Sequence, residues 1–192
     1  MGCHWRTGLA VFAFAAVLSA FPAWAATTGR SVRDRDWQNG EYDLGDRDFA
    51  FVGGRHTDLT DDGSCSVCLA IREVTFGDVD GDGSEDAILL IDSNLGGAGT
   101  SLDAYVFGLV DGKPGLKARI EGGDRGEGGL QSVSVSSGEV LVRRFASTPS
   151  DGACCPSRVL IERWRWRDGK LLKVPGAPRV QKRKPRPWYV RP

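Results

Sequence analysis

The sequence predicts an all-β protein, an antiparallel meander of hairpins that forms a single-domain sandwich or curled sheet. Three observations carry this. The segments Asp111-Gly112-Lys113-Pro114-Gly115, Ser137-Gly138 and Asp168-Gly169 each sit between two β-branched or aromatic runs and have glycine where a tight turn needs positive φ. Leu160, Glu162, Trp164 and Trp166 alternate with Ile161, Arg163, Arg165 and Arg167, the period-2 signature of a strand. Ala87 to Ile91 is apolar without alternation and too short for a helix, which suits a strand covered on both faces.

Taken in order, residues 1–25 read as a secretory signal peptide. Arg6 supplies a basic start, Leu9 to Ala20 the apolar segment, and Ala23-Trp24-Ala25 the cleavage site. The next residue is Ala26 rather than cysteine, so the expectation is a soluble periplasmic or secreted protein without a lipid anchor. Nothing later approaches the ~18 consecutive apolar residues of a membrane span. Residues 26–47 form a polar, loosely ordered lead-in that packs one or both of Trp37 and Tyr42.

The β-rich domain is expected over residues 48–174. Its first strand is Phe49 to Val52, followed by a loop from His56 to Gly63 and a half-exposed strand from Leu69 to Phe76. After Ala87 to Ile91 come three hairpins: Leu102 to Val110 with Leu116 to Ile120, Ser132 to Ser136 with Glu139 to Phe145, and Val159 to Arg167 with Lys170 to Val174. Glu121 to Gly129 is too glycine-rich for regular structure and reads as a mobile loop. Residues 175–192 alternate proline with basic side chains and read as a disordered tail, which could hold the protein to an anionic envelope polymer or lipid surface.

Charge and histidine content exclude several functions. Residues 26–174 carry eighteen basic against 25 acidic residues, so the body is acidic, and nucleic acid is a poor match as a partner. His56 is the single histidine after the signal, which rules out zinc sites built from several histidines and leaves a Ser-His-Asp triad one choice of base. The glycine cluster from Gly96 to Gly99 lacks the Lys-Ser/Thr and the helix that a phosphate loop requires.

The stretch with the most specific chemistry is Gly77-Asp78-Val79-Asp80-Gly81-Asp82-Gly83-Ser84-Glu85-Asp86. Carboxylates at positions 1, 3, 5 and 9, with glycine at 6, place hard oxygen ligands around one point and allow the sharp turn they need. The expected calcium ligands are the side chains of Asp78, Asp80, Asp82 and Asp86 with the carbonyl of Ser84. Position 12 is Leu89 where an EF-hand has glutamate, and the flanks are strands, so an EF-hand is not predicted. The plainer alternative is an acidic hairpin loop that holds nothing tightly. A metal between two core strands would clamp their hairpin in a structural role.

Cys65, Cys68, Cys154 and Cys155 remain after the signal, an even number that favours disulfides in an exported protein. At least one bridge between the 65/68 and 154/155 segments is expected, since it would close a long loop and contribute about 4 kcal/mol. A redox role for Cys65-x-x-Cys68 lacks the βαβ setting and the helix N-terminus that activate such thiols.

The acidic loop resembles the D-x-D-x-D-G-x-x-D loops of FG-GAP-type β-repeats. The span from about Phe49 to Leu172 also resembles a family of uncharacterised bacterial exported proteins, to which some mycobacterial lipoproteins are similar. The matching pieces are residues 77–87, the glycines at 96–99, Gly123-Asp124-Arg125, and Cys154-Cys155-Pro156-Ser157. This resemblance implies an exported β-rich domain and no particular activity. The expected function is therefore a non-enzymatic exported binding or envelope-associated domain braced by calcium and disulfides. The alternative is an enzyme, either a thiol-disulfide oxidoreductase using Cys65 and Cys68 or a hydrolase with paired carboxylates in the glycine-lined region.

Overall fold

A computed structural model of the chain describes residues 31–96, 99–123, 129–152 and 155–183. The expected signal peptide, Cys154 and the end of the tail lie outside these residues. The described residues form twelve strands and one 3-10 turn, Val32–Asp34, with no α-helix among them.

Two larger sheets are built entirely from antiparallel neighbours. The first runs β3 (Arg55–Leu59), β4 (Cys65–Gly77), β5 (Asp86–Asn94), β6 (Ser101–Val110) and β7 (Lys113–Ile120) in chain order. The second runs β8 (Leu130–Ser136), β9 (Glu139–Ala146), β10 (Arg158–Arg167) and β11 (Lys170–Lys173), with β12 (Arg179–Lys182) sharing the free edge of β10. A small hairpin, β1 (Gly40–Asp43) and β2 (Asp48–Phe51), stands apart from both.

Because each hairpin turn is local, consecutive strands become neighbours. Asp111-Gly112, Ser137-Gly138 and Asp168-Gly169 all place both central residues at positive φ, between 51° and 75°. That is the type I′ geometry whose twist matches that of paired strands. The 111–115 segment is tighter than expected, since β7 already begins at Lys113.

The layers explain the unbroken apolar run of β5. Leu89, Ile91, Tyr105 and Phe107 point to one side of the first sheet, where Trp37, Tyr42, Phe49 and Phe51 of the N-terminal segment cover them. Ile88, Leu90, Ala104 and Val106 point to the other side and meet Leu130, Val133, Val140 and Val142 of the second sheet. The first sheet is thus the middle of three layers, and Ala87 to Ile91 is at most 1% exposed. At about 25 cal/mol per Å² of apolar surface, covering both faces makes this strand a principal source of hydrophobic stabilisation.

Several expectations are corrected. Residues 31–47 are an ordered cover: Trp37 stacks on Tyr42 at 5.6 Å between centroids and donates its indole N–H to the Val32 carbonyl at 2.7 Å. The His56 segment is strand β3 rather than loop, because His56 sits against Phe49 and Phe51 and its Nδ1 donates to the Ala50 carbonyl at 2.9 Å. The disordered tail does not start at Pro175, since Arg179–Lys182 pairs with Arg158–Ile161 and satisfies that edge of β10. Trp164 and Trp166 lie half-buried on the core side of β10, as their alternation implied.

The cross-link expected between the two cysteine pairs is also corrected: Cys65 is bonded to Cys68, with Cα atoms 6.0 Å apart. Residues three apart on a regular strand are separated by about 10 Å. The difference comes from a bulge in which Asp58 pairs with Val67 while Leu59 pairs with Cys65, leaving Ser66 as the extra residue. Cys155 is also disulfide-bonded.

Candidate metal centre

The acidic loop, residues 78–85, joins β4 to β5, as the sequence implied. It is wound around its own carboxylates. Asp78 accepts the N–H groups of Gly81 at 2.6 Å and Gly83 at 3.1 Å, Asp80 that of Asp82 at 3.2 Å, and Asp82 that of Ser84 at 2.7 Å. Gly81 and Gly83 have φ of 80° and 86°, a conformation costly for other residues, which accounts for the glycine at the sixth position. Outside the loop, Arg33 from the N-terminal turn grips Glu85 through two hydrogen bonds of 2.5 and 2.7 Å.

Three of the expected ligands come together. One carboxylate oxygen each from Asp78, Asp80 and Asp86 lie within 4.8 Å of one another. Two oxygens bound to one calcium at 2.3–2.6 Å can be at most about 5 Å apart, so the trio fits a single ion. Asp82 stays half-exposed outside the trio, and Ser84 is exposed.

Asp86 is the inner wall of the site, 1% exposed. Its Oδ2 accepts the Val79 N–H at 3.1 Å, and its buried Oδ1 is ion-paired with Lys117. Burial raises the Asp86 pKa against the opposing pull of Lys117.

Lys117 is the residue that sequence reasoning missed. Its Nζ lies 2.5 Å from Asp80 Oδ2, 2.8 Å from Asp86 Oδ1 and 3.7 Å from Asp82 Oδ2. Two features of the β6–β7 pair aim it there. Val106 pairs with Ala118 and Phe107 with Leu116, so Lys117 is the extra residue of a bulge, which redirects its side chain. Gly108 on β6 lets the stem cross, since a Cβ there would come within 2.4 Å of Lys117 Cε. Burial alone would lower the Lys117 pKa, but Asp80 and Asp86 outweigh it and hold the pKa above its ordinary value. No local pattern announced this, because the lysine is brought in by register from the third strand along.

Three carboxylates, those of Asp80, Asp82 and Asp86, surround the Lys117 ammonium, and Asp78 lies beside two of them. With Asp78, Asp80, Asp82 and Asp86 ionised, Lys117 leaves a net negative charge that a divalent ion would neutralise better. A cleft of about 610 Å³ bordered by Asp82, Glu85, Asp86, Asp111 and Lys117 gives an ion a route from solvent.

The two settings considered for enzymatic chemistry look different. Cys65 and Cys68 lie on a strand, without a helix N-terminus to stabilise a thiolate. Among the described residues, the glycine-lined cavity near Gly123 and Gly129 contains a single carboxylate, Asp92, which is ion-paired with Arg72.

Fold and site together define an antiparallel β-protein with an acidic hairpin loop at its centre, in which Asp78, Asp80 and Asp86 are close enough to share one cation. No family model, curated protein or solved structure matches the chain. No helix among the described residues is long and apolar enough to cross a membrane.

Proposed function

We propose that this is an exported, non-enzymatic binding or envelope-associated domain whose β4–β5 hairpin is held by calcium in the 78–86 loop. The convergence of Asp78, Asp80 and Asp86 within 4.8 Å, with Asp86 buried, carries the calcium reading. Hard carboxylate oxygens on a glycine-containing loop suit calcium better than softer metals. Asp78, Asp80 and Asp86 hold the ion, Asp82 and the Ser84 carbonyl complete its shell, and Lys117 swings into the adjoining cleft. The ion supplies charge neutralisation and holds β4 and β5 in register. Export is supported by the signal-like N-terminus, the Cys65–Cys68 disulfide and the resemblance to exported bacterial proteins.

Calcium titration of the purified protein, followed by calorimetry and by thermal melting with and without chelator, tests this. Saturable binding with a raised melting temperature is expected, and Asp80→Asn should weaken binding at least tenfold. A wild-type protein with no heat of binding and no shift in melting at millimolar calcium would leave the loop as a lysine-neutralised salt bridge.

A further inference from the structure

We propose that the outer face of the β8–β12 sheet is a docking surface for a linear acidic glycan, a chain of sugar rings bearing carboxylates. This is a different surface from the calcium loop and does not rest on it.

Charge is divided between the layers. Residues 31–123 carry eight basic against nineteen acidic side chains, whereas residues 129–183 carry eleven against four. Strand register then sorts the second group by face. Glu162 points inward with Trp164, and its carboxylate neutralises the inward cations Arg144 at 3.1 Å and Lys173 at 2.6 Å. The opposite face displays Arg143, Arg163, Arg165, Arg167, Lys170 and Arg179. Its strands provide one carboxylate, Glu139, shared by Arg163 and Arg165. Arg167 stands directly opposite Lys170, a pairing of like charges that costs stability unless an anion joins them.

Shape narrows the occupant. Ile161 is paired on one side with Arg143 and on the other with Arg179, while Leu141 is paired with Arg163. These five residues, walled by the Pro175–Pro178 turn and reached at one end by the Glu162–Lys173 ion pair, line a groove of about 490 Å³. Arginines across neighbouring strands are spaced about 5 Å per strand, and along β10 about 7 Å per pair of residues. An apolar floor ringed by guanidinium forks suits a ring with an apolar face and a carboxylate, which arginine binds in bidentate fashion. A bare polyphosphate has nothing for the floor, and a bilayer presents a plane to a concave site. Single-stranded nucleic acid wants exposed aromatic rings, and Trp164 and Trp166 face inward.

The test is binding of the full chain to polygalacturonate, by calorimetry at two salt concentrations. With about four cations engaged, affinity should fall roughly 50-fold between 50 and 200 mM salt. Neutral dextran should not bind. The triple variant Arg143→Gln, Arg167→Gln, Arg179→Gln should lose at least tenfold in affinity while keeping its calcium response and melting no lower than wild type. None of the three is ion-paired to a carboxylate among the described residues. Unchanged binding by that variant would assign the interaction to the basic tail and overturn the proposal. So would polyphosphate, oligothymidylate or phosphatidylglycerol vesicles binding as tightly as polygalacturonate, or no binding at low salt.

Discussion

Replacing Lys117 by methionine keeps the length of the stem and removes the charge that holds the acidic loop together. At an effective dielectric near 20, two carboxylates 4.8 Å apart repel by about 3 kcal/mol, so the trio depends on a cation. Asp86 is 1% exposed, and the Asp80 and Lys117 side chains are 14% and 22% exposed, so the ion pairs are largely shielded. Breaking such a pair from one side costs on the order of 3 kcal/mol after allowance for the exposed part. In chelator this corresponds to a melting temperature lowered by about 6–12 °C. Calcium at 100 times its dissociation constant restores about 2.7 kcal/mol, and the ion no longer has to displace an ammonium. The variant should therefore be much less stable than wild type in chelator, nearly equal to it in calcium, and tighter in its calcium binding. Differential scanning fluorimetry of both proteins in both conditions measures all of this. An equal loss of stability with and without calcium would refute the idea that lysine and metal share one site.

Two further outcomes follow from groups far from the loop. Glu162→Gln should cost about 2 kcal/mol at pH 7, since Arg144 and the partly exposed Lys173 lose their common carboxylate. Burial opposes ionisation of Glu162, but Lys173, Trp164 and Arg144 prevail and lower its pKa below 4.5. Its contribution is thus complete above that value and disappears as pH falls through the depressed pKa of the folded state. Wild-type and variant melting curves should converge in acid, and a constant gap between pH 7 and pH 3 would contradict this. Gly122→Ala should destabilise by about 3 kcal/mol in urea unfolding, because its Cβ would fall 1.7 Å from the Leu102 carbonyl oxygen. A loss under 1 kcal/mol would mean that the β6–β8 contact yields easily.

What the sequence made legible was local. Asp111-Gly112, Ser137-Gly138 and Asp168-Gly169 encode their turns within two residues, and Ala87 to Ile91 announces burial on both faces through the absence of polar residues. The acidic loop was equally readable, because the glycines and carboxylates that shape it are contiguous. What was hidden depends on registers that composition does not record. Lys117 reaches the loop through a bulge in β7 and a gap at Gly108, and Ser66 brings Cys65 to Cys68 through a bulge in β4. Strand β3 was misread because Arg55-His56-Thr57-Asp58-Leu59 is polar, yet as the edge of the first sheet it buries little. Arg179–Lys182 was misread for the related reason that all four of its residues remain exposed after pairing.

The three-layer arrangement bears on how the chain matures. Of the described residues, 31–51 are made first, but they have no surface to sit on until β4, β5 and β6 exist. Trp37, Tyr42 and Phe51 must stay in solvent until Phe107, against which the tilted rings of Trp37 and Tyr42 pack, has been synthesised. The earliest segment to emerge is therefore among the latest to settle, and a holding partner would matter most for the protein during that interval.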